Sequence, residues 1–260
     1  MTSSKPVLAL LHGWGMNARV FDALADALAP DFAVRALNLP GHGGRAALSD
    51  NSLSAWAEDL VQALPDASIV LGWSLGGLVA LRAALDAPQK ISRLILLSVT
   101  PRFVTATDWA CAMQHADLEA LGADLRADTR ATLLRFLSLQ TRGMAQQKTR
   151  LYALRHALLA SPLPQPEALA AGLAILQHTD MRADIPAVAQ PTLVLHGALD
   201  TLAPPAAGAW LAAHLPDACE VNFAPAAHAP HLSHCAEVAA AIRANLHDAA
   251  RMGMTQGGAA

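Results

Sequence analysis

One hydroxyl interrupts the apolar, glycine-rich run VLGWSLGGLVAL at positions 70–81, and it belongs to Ser74. The five residues Gly72-Trp73-Ser74-Leu75-Gly76 fit G-x-S-x-G. In that motif a strand turns sharply into a helix and lifts the serine out at the carboxyl end of a sheet. A serine that only caps a helix would satisfy the same pattern. The chemistry therefore depends on partners, because a serine hydroxyl is a weak nucleophile without a base and an acid to orient that base.

The chain supplies both in the order serine, acid, histidine. Asp200 follows the apolar run TLVLHG at 192–197 and is the candidate acid. Asp180 and Asp184 precede that run and are expected at the end of a helical segment. The base comes from APAAHAPHLSH at 224–234, which holds His228, His231 and His234. His228 is first after the preceding strand and lies among small residues, so it is the candidate that can reach back to Ser74. The H-x-x-H-x-x-H spacing also raises a metal reading, but Pro230 interrupts it and no carboxylate lies close by. Two backbone N–H groups are expected to form an oxyanion hole, that of Leu75 directly after the nucleophile and that of Trp14 in the turn HGWGMN at 12–17.

These residues need a scaffold that brings them to one edge. Near-continuous apolar runs at 7–12, 33–39, 68–73, 94–99, 192–196 and 220–223 alternate with amphipathic helical patterns, including 18–28 and 52–64. Such runs predict a mostly parallel, doubly wound α/β sheet covered on both faces. From about Pro101 to Gln190 the pattern is helix after helix. The expected organisation is therefore a core of residues 1–100 and 191–250, a helical cap inserted at 101–190, and a flexible tail at 251–260.

Composition excludes several other roles. The chain has 260 residues, 53% hydrophobic and 15% charged, with a net charge of −3. That balance suits a large core and argues against nucleic acid as a partner. No stretch is long and apolar enough to predict a membrane span. Cys111, Cys219 and Cys235 are odd in number and far apart, which fits a reduced, cytoplasmic protein. No phosphate loop or dinucleotide fingerprint is present, so no cofactor is implied, and a monomer is expected.

LHGWG at 11–15, NLPGHG at 38–43, GWSLGG at 72–77, HGALD at 196–200 and AHAP at 227–230 together resemble the α/β-hydrolase superfamily over nearly the whole chain. GWSLGGLVA, HGWGMN, RFLSLQ at 135–140 and AAHAPHLSH are similar to a narrower group, the methyl ester esterases acting on pimeloyl-acyl carrier protein in biotin synthesis. That resemblance implies hydrolysis of a methyl ester through Ser74, His228 and Asp200. It also implies that Trp14, Ser74, Leu75, His228 and the segment Phe136, Leu137, Ser138, Leu139 and Gln140 line the acyl site. Helical spacing alone is equally consistent with Phe136 and Leu139 as ordinary cap core.

Between Thr129 and Pro166 there is no acidic residue, whereas Arg130, Arg135, Arg142, Lys148, Arg150 and Arg155 all fall there. A basic face of this kind would steer an acidic acyl carrier protein to the site, unless its counter-charges lie elsewhere in the fold. Only six residues precede the first strand. The strand at 33–39 is accordingly expected to form an exposed sheet edge. The rival functions are a generalist carboxylesterase or lactonase, a thioesterase, and a non-catalytic ligand receptor on the same scaffold.

Overall fold

The computed structural model describes residues 5–142 and 146–256, with side chains through 246. All six expected strands form: β1 (Val7–Leu11), β2 (Ala33–Leu37), β3 (Ser68–Trp73), β4 (Ile91–Leu97), β5 (Thr192–Gly197) and β6 (Ala218–Phe223). They make one sheet in the order β2-β1-β3-β4-β5-β6, parallel throughout. β3 and β5 are buried at every position, as strands covered on both faces must be. β2 is largely exposed and lies at one edge of the described sheet. β4 starts three residues earlier than its apolar run suggested and stops at Leu97, where Ser98 takes a positive φ of 51°.

Helices connect the strands. The first helical pattern divides into a short 3₁₀ turn at Ala18–Phe21 and α1 (Asp22–Leu28). α2 (Leu53–Ala63) begins at Ser52, whose side chain accepts the Ala55 N–H and so satisfies one of the free donors of the first turn. α3 (Leu75–Asp86) leaves directly from the end of β3, and its buried residues include Leu75, Gly76 and Gly77.

Between β4 and β5 lie α4 (His115–Ala127), α5 (Thr129–Gln140), α6 (Gln147–Leu159) and α7 (Pro166–His178). They are followed by α8 (Pro205–His214), the one-turn α9 (Pro230–Ser233) and α10 (Cys235–Gln256). α10 continues through part of the segment expected to be a flexible tail. Arg251, Met252, Met254 and Gln256 there are good helix formers, Gly253 and Thr255 are not, and residues 257–260 lie outside the described chain.

The two ends of the helical segment are tied together by ion pairs. Arg102 reaches Asp180 at 2.7 Å, and Arg182 joins Asp180 at 2.8 Å and Asp108 at 3.0 Å. The Arg182 and Arg102 guanidiniums hold the Asp180 carboxyl well below the usual carboxylate range, against the opposing effect of partial burial. Asp180 is thus committed to a junction and is not available to orient a histidine.

Candidate active site

Parallel pairing sets the ends of β1 and β3 side by side, with Leu11 opposite Gly72. The turn after β1 and the turn after β3 therefore meet. Ser74 stands at φ 56° and ψ −120°, a conformation that a residue with a side chain adopts only at a cost. The turn is tight enough that a Cβ on Gly72 would come within 2.5 Å of the Gly76 carbonyl, so glycine is required there. A Cβ on Gly13 would lie 3.2 Å from that of Ser74, which puts the first turn directly against the hydroxyl-bearing residue. Ser74 is 6% exposed.

β5 and β6 carry the other two residues. Asp200 closes a turn after β5, its N–H donating to the Gly197 carbonyl at 3.1 Å. The loop after β6 lies against that turn, since the Leu199 N–H donates to the Ala226 carbonyl at 2.8 Å. His228 Nδ1–H then donates to Asp200 Oδ2 at 2.8 Å, and both side chains are buried. The other carboxylate oxygen, Oδ1, accepts the N–H groups of Leu202 and Ala203 at 2.9 and 3.0 Å. With its lone pairs engaged on both sides, the carboxylate can hold the ring in the tautomer that leaves Nε2 free to accept a proton.

The three histidines occupy different surroundings. His231 is 1% exposed and neither ring nitrogen has a partner among the described residues. Its ring packs against Trp73 at 4.7 Å and Phe21 at 5.1 Å between centroids. Burial, followed by the nearby His228, lowers its pKa to about 3, so it is neutral and apolar in role. His234 is bonded to the Ser233 hydroxyl at 2.8 Å. No group of three histidine, cysteine or acidic side chains converges as a metal would need among the described residues.

Several supporting contacts were not foreseen from the sequence. Trp73 Nε1–H donates to the His228 carbonyl at 2.7 Å, joining the residue before Ser74 to the backbone of the histidine. Trp14 Nε1–H donates to the Leu169 carbonyl in α7 at 2.8 Å, so the first turn is gripped by the helical segment. His12 accepts the Leu39 N–H at Nε2 (3.0 Å) and donates from Nδ1 to the Gly13 carbonyl (2.9 Å). Burial keeps His12 neutral, which the accepting nitrogen requires. His196 meets the carbonyl of Ala203, whose N–H supports Asp200. The bulky or polar residues beside each motif were the available signals, but their partners lie up to 155 positions away.

The residues expected to line the acyl site divide by helical face. Phe136 and Leu139 of α5 line a cavity of about 610 Å³ with Leu121, Arg135, Thr201 and Leu202, the last two following Asp200. Phe136 also meets Trp14 edge-on at 5.0 Å. Leu137 and Gln140 are buried, and with Ser138 they are not in that lining. Residues three apart share a helix face whereas five consecutive residues cannot. Ser74, Trp14, Leu75 and His228 are likewise outside the lining, so the cavity adjoins the Asp200 turn rather than the hydroxyl itself.

The basic residues divide as well. Arg130, Arg142, Lys148 and Arg155 are exposed and make no ion pair among the described residues. Arg135 is paired with Asp124 at 2.9 Å. Arg150 departs from the expected docking role, because its guanidinium donates inward to the Leu232 carbonyl at 2.8 Å and the Ser233 carbonyl at 3.4 Å.

Residues 6–234 match the family model described as the alpha/beta hydrolase fold. A pimeloyl-[acyl-carrier protein] methyl ester esterase of Nitrosomonas europaea is 40% identical over 232 residues, covering 89% of this chain and 92% of that protein. One of the same name from Aromatoleum aromaticum is 43% identical over 244 residues, covering 92% and 97%. Among solved structures, a hydrolase from Pseudomonas aeruginosa superposes with a TM-score of 0.77 at 29% identity, covering 93% of this chain and 90% of that one. An esterase from Exiguobacterium antarcticum gives 0.81 at 20% identity, covering 93% and 91%, a likeness of fold. The chain belongs to the α/β-hydrolase fold family and, within it, to the family of the pimeloyl-[acyl-carrier protein] methyl ester esterases.

Proposed function

We propose that the chain is a serine carboxylesterase that hydrolyses the methyl ester of pimeloyl-acyl carrier protein, releasing methanol and the free carboxylate in biotin synthesis. The observation that carries the chemistry is the buried His228–Asp200 pair, 2.8 Å apart, tied through the His228 carbonyl to Trp73, the residue before a serine held at positive φ. The substrate rests on the kinship with esterases of that name at 40–43% identity over about nine-tenths of the chain.

In this reading His228 Nε2 takes the Ser74 proton as Oγ attacks the ester carbonyl. Asp200 stabilises the imidazolium that forms. The oxyanion of the tetrahedral intermediate is met by the backbone N–H groups of Leu75 and Trp14. The positive end of α3 adds to its stabilisation. Collapse expels methoxide, which leaves as methanol with the proton from His228. Water, deprotonated by the same histidine, then attacks the acyl-enzyme and frees the carboxylate and Ser74. The thioester at the other end of the acyl chain is untouched.

Residues 101–190 act as the cap over this site. Phe136 and Leu139 offer apolar surface to the acyl chain, and the exposed cations Arg130, Arg142, Lys148 and Arg155 offer a face to an acidic carrier. Arg135, half committed to Asp124, contributes less. The enzyme works as a cytoplasmic monomer without cofactor or metal. The three free cysteines suit a reducing compartment, and no described helix is long and apolar enough to cross a membrane.

Intact-mass measurement of pimeloyl-carrier protein methyl ester, incubated with wild type and with Ser74→Ala, tests the proposal. Loss of one methylene mass with wild type only is the expected result. Loss of the whole acyl group would make the enzyme a thioesterase. An unchanged carrier, with Ser74-dependent cleavage of a short nitrophenyl ester, would leave a generalist esterase and remove the carrier from the account.

A further inference from the structure

α6 touches both halves of the candidate site by way of its backbone and one side chain. Near its end, the Ala157 and Leu158 carbonyls accept from Asn17 Nδ2–H at 3.0 and 3.2 Å, and Asn17 closes the turn that contains Trp14. Near its start, Arg150 Nη1–H and Nη2–H donate to the Leu232 and Ser233 carbonyls. Those two carbonyls end α9, a helix of four residues that begins two positions after His228.

A helix so short cannot satisfy its own terminal carbonyls, and a cation at its carboxyl end both bonds them and complements their partial charge. Within α9, the Leu232 N–H returns to the Ala229 carbonyl at 3.0 Å, so a single closed turn separates the arginine contact from the histidine. On the other side the His228 carbonyl is held by Trp73 at 2.7 Å. The histidine backbone is therefore fixed from two directions, one inside the core and one through a helix of the cap.

We infer that Arg150 is a positioning residue for His228, anchoring the segment that carries the base, rather than a cation for carrier docking. This rests on the Ser74–His228–Asp200 reading above but not on the identity of the acyl substrate. Its consequence is that the placement of the base depends on how α6 is seated, so the helix offering Lys148 and Arg155 to a carrier also sets the geometry of the reaction.

The test uses p-nitrophenyl butyrate, which has no carrier, with wild type, Arg150→Gln and Arg150→Lys. Active sites are counted by titration with a p-nitrophenyl alkylphosphonate, so that misfolded enzyme is not scored as slow enzyme. We expect kcat per titrated site to fall about ten- to a hundredfold in Arg150→Gln, as for a displacement of about 1 Å at a catalytic group, with KM nearly unchanged. Arg150→Lys should lose less, because an ammonium can still reach one carbonyl, yet remain measurably below wild type.

A kcat per site equal to wild type in both variants overturns the inference, even if KM for a carrier-bound ester rises. If Arg150→Gln does not fold, Arg150→Lys alone decides, and an unaltered kcat per site counts against the inference. A wild type that neither turns over the ester nor takes the phosphonate would overturn the Ser74 reading, and this inference with it, whatever the variants do.

Discussion

Gly172 lies in α7 three residues beyond Leu169, on the face that covers the first turn. A Cβ there would sit 2.8 Å from Trp14 Cδ1 and 3.0 Å from Leu75 Cδ2, the two residues whose N–H groups are assigned to the oxyanion hole. Carbon atoms prefer separations of about 3.5–4.0 Å, so something must yield by roughly half an ångström or more. The Leu75 methyl can rotate aside. The Trp14 ring cannot do so easily, since its Nε1–H is bonded to the Leu169 carbonyl of the same helix and Phe136 packs against it at 5.0 Å.

Gly172→Ala should thus set two effects against each other. Alanine in place of glycine inside a helix contributes about 1 kcal/mol of stability. Overpacking a filled contact costs about 1–3 kcal/mol. The expected net loss is between about 0 and 2 kcal/mol, or a fall in Tm of up to about 8 °C for a chain of this size. The effect on rate is the more telling. Removing an oxyanion donor outright costs about a hundred- to a thousandfold, so a partial displacement of the Trp14 turn should lower kcat on a short nitrophenyl ester by about tenfold. Thermal melting and steady-state kinetics check both numbers. A variant that melts higher by the full helix-propensity gain with kcat intact would refute the close seating of α7 on the turn.

Two further predictions concern strain and acid stability. Ser74→Gly and Ser74→Ala should both be inactive, but glycine relieves the positive φ while alanine retains it, so Ser74→Gly should be the more stable by about 1 kcal/mol in denaturant titration. Equal stability would mean that the turn is not strained. His231 is held neutral in the folded protein with a pKa lowered to about 3, chiefly by burial. In the unfolded chain it titrates near 6.5, so the unfolded state takes up the proton first. The stability tied to its neutrality is therefore complete above about pH 6.5 and is lost as the pH falls towards 3. His231→Phe keeps the packing against Trp73 and removes that titration. Its stability relative to wild type should rise by on the order of 2 kcal/mol between pH 7.5 and pH 5, and a constant difference would show that His231 is not a buried neutral group.

Much of this molecule was legible in the chain itself. The inner strands announced themselves as short apolar runs, β3 and β5 most plainly, because a strand covered on both faces must be apolar at every position. β2 and β6, at the two edges of the described sheet, are only partly buried and carry Arg35, Glu220 and Asn222. The G-x-S-x-G turn was legible for a local reason too, since a strand that reverses into a helix within five residues needs small neighbours. The order Ser74, Asp200, His228 followed from which loops leave the carboxyl ends of the strands. What tertiary structure alone decided are contacts between residues far apart in sequence. Asp200 meets His228 and not His231 because the loop after β6 is pinned to the turn after β5, a register that periodicity does not encode. Phe136 faces Trp14 while Leu137 is turned into the core, because the helix face was decided by its neighbours and not by the apolar residues that both positions share. Arg150 reads in the sequence as one more member of a basic run. Only its position opposite the two open carbonyls of α9, 82 and 83 residues further on, turns a surface cation into a support for the histidine.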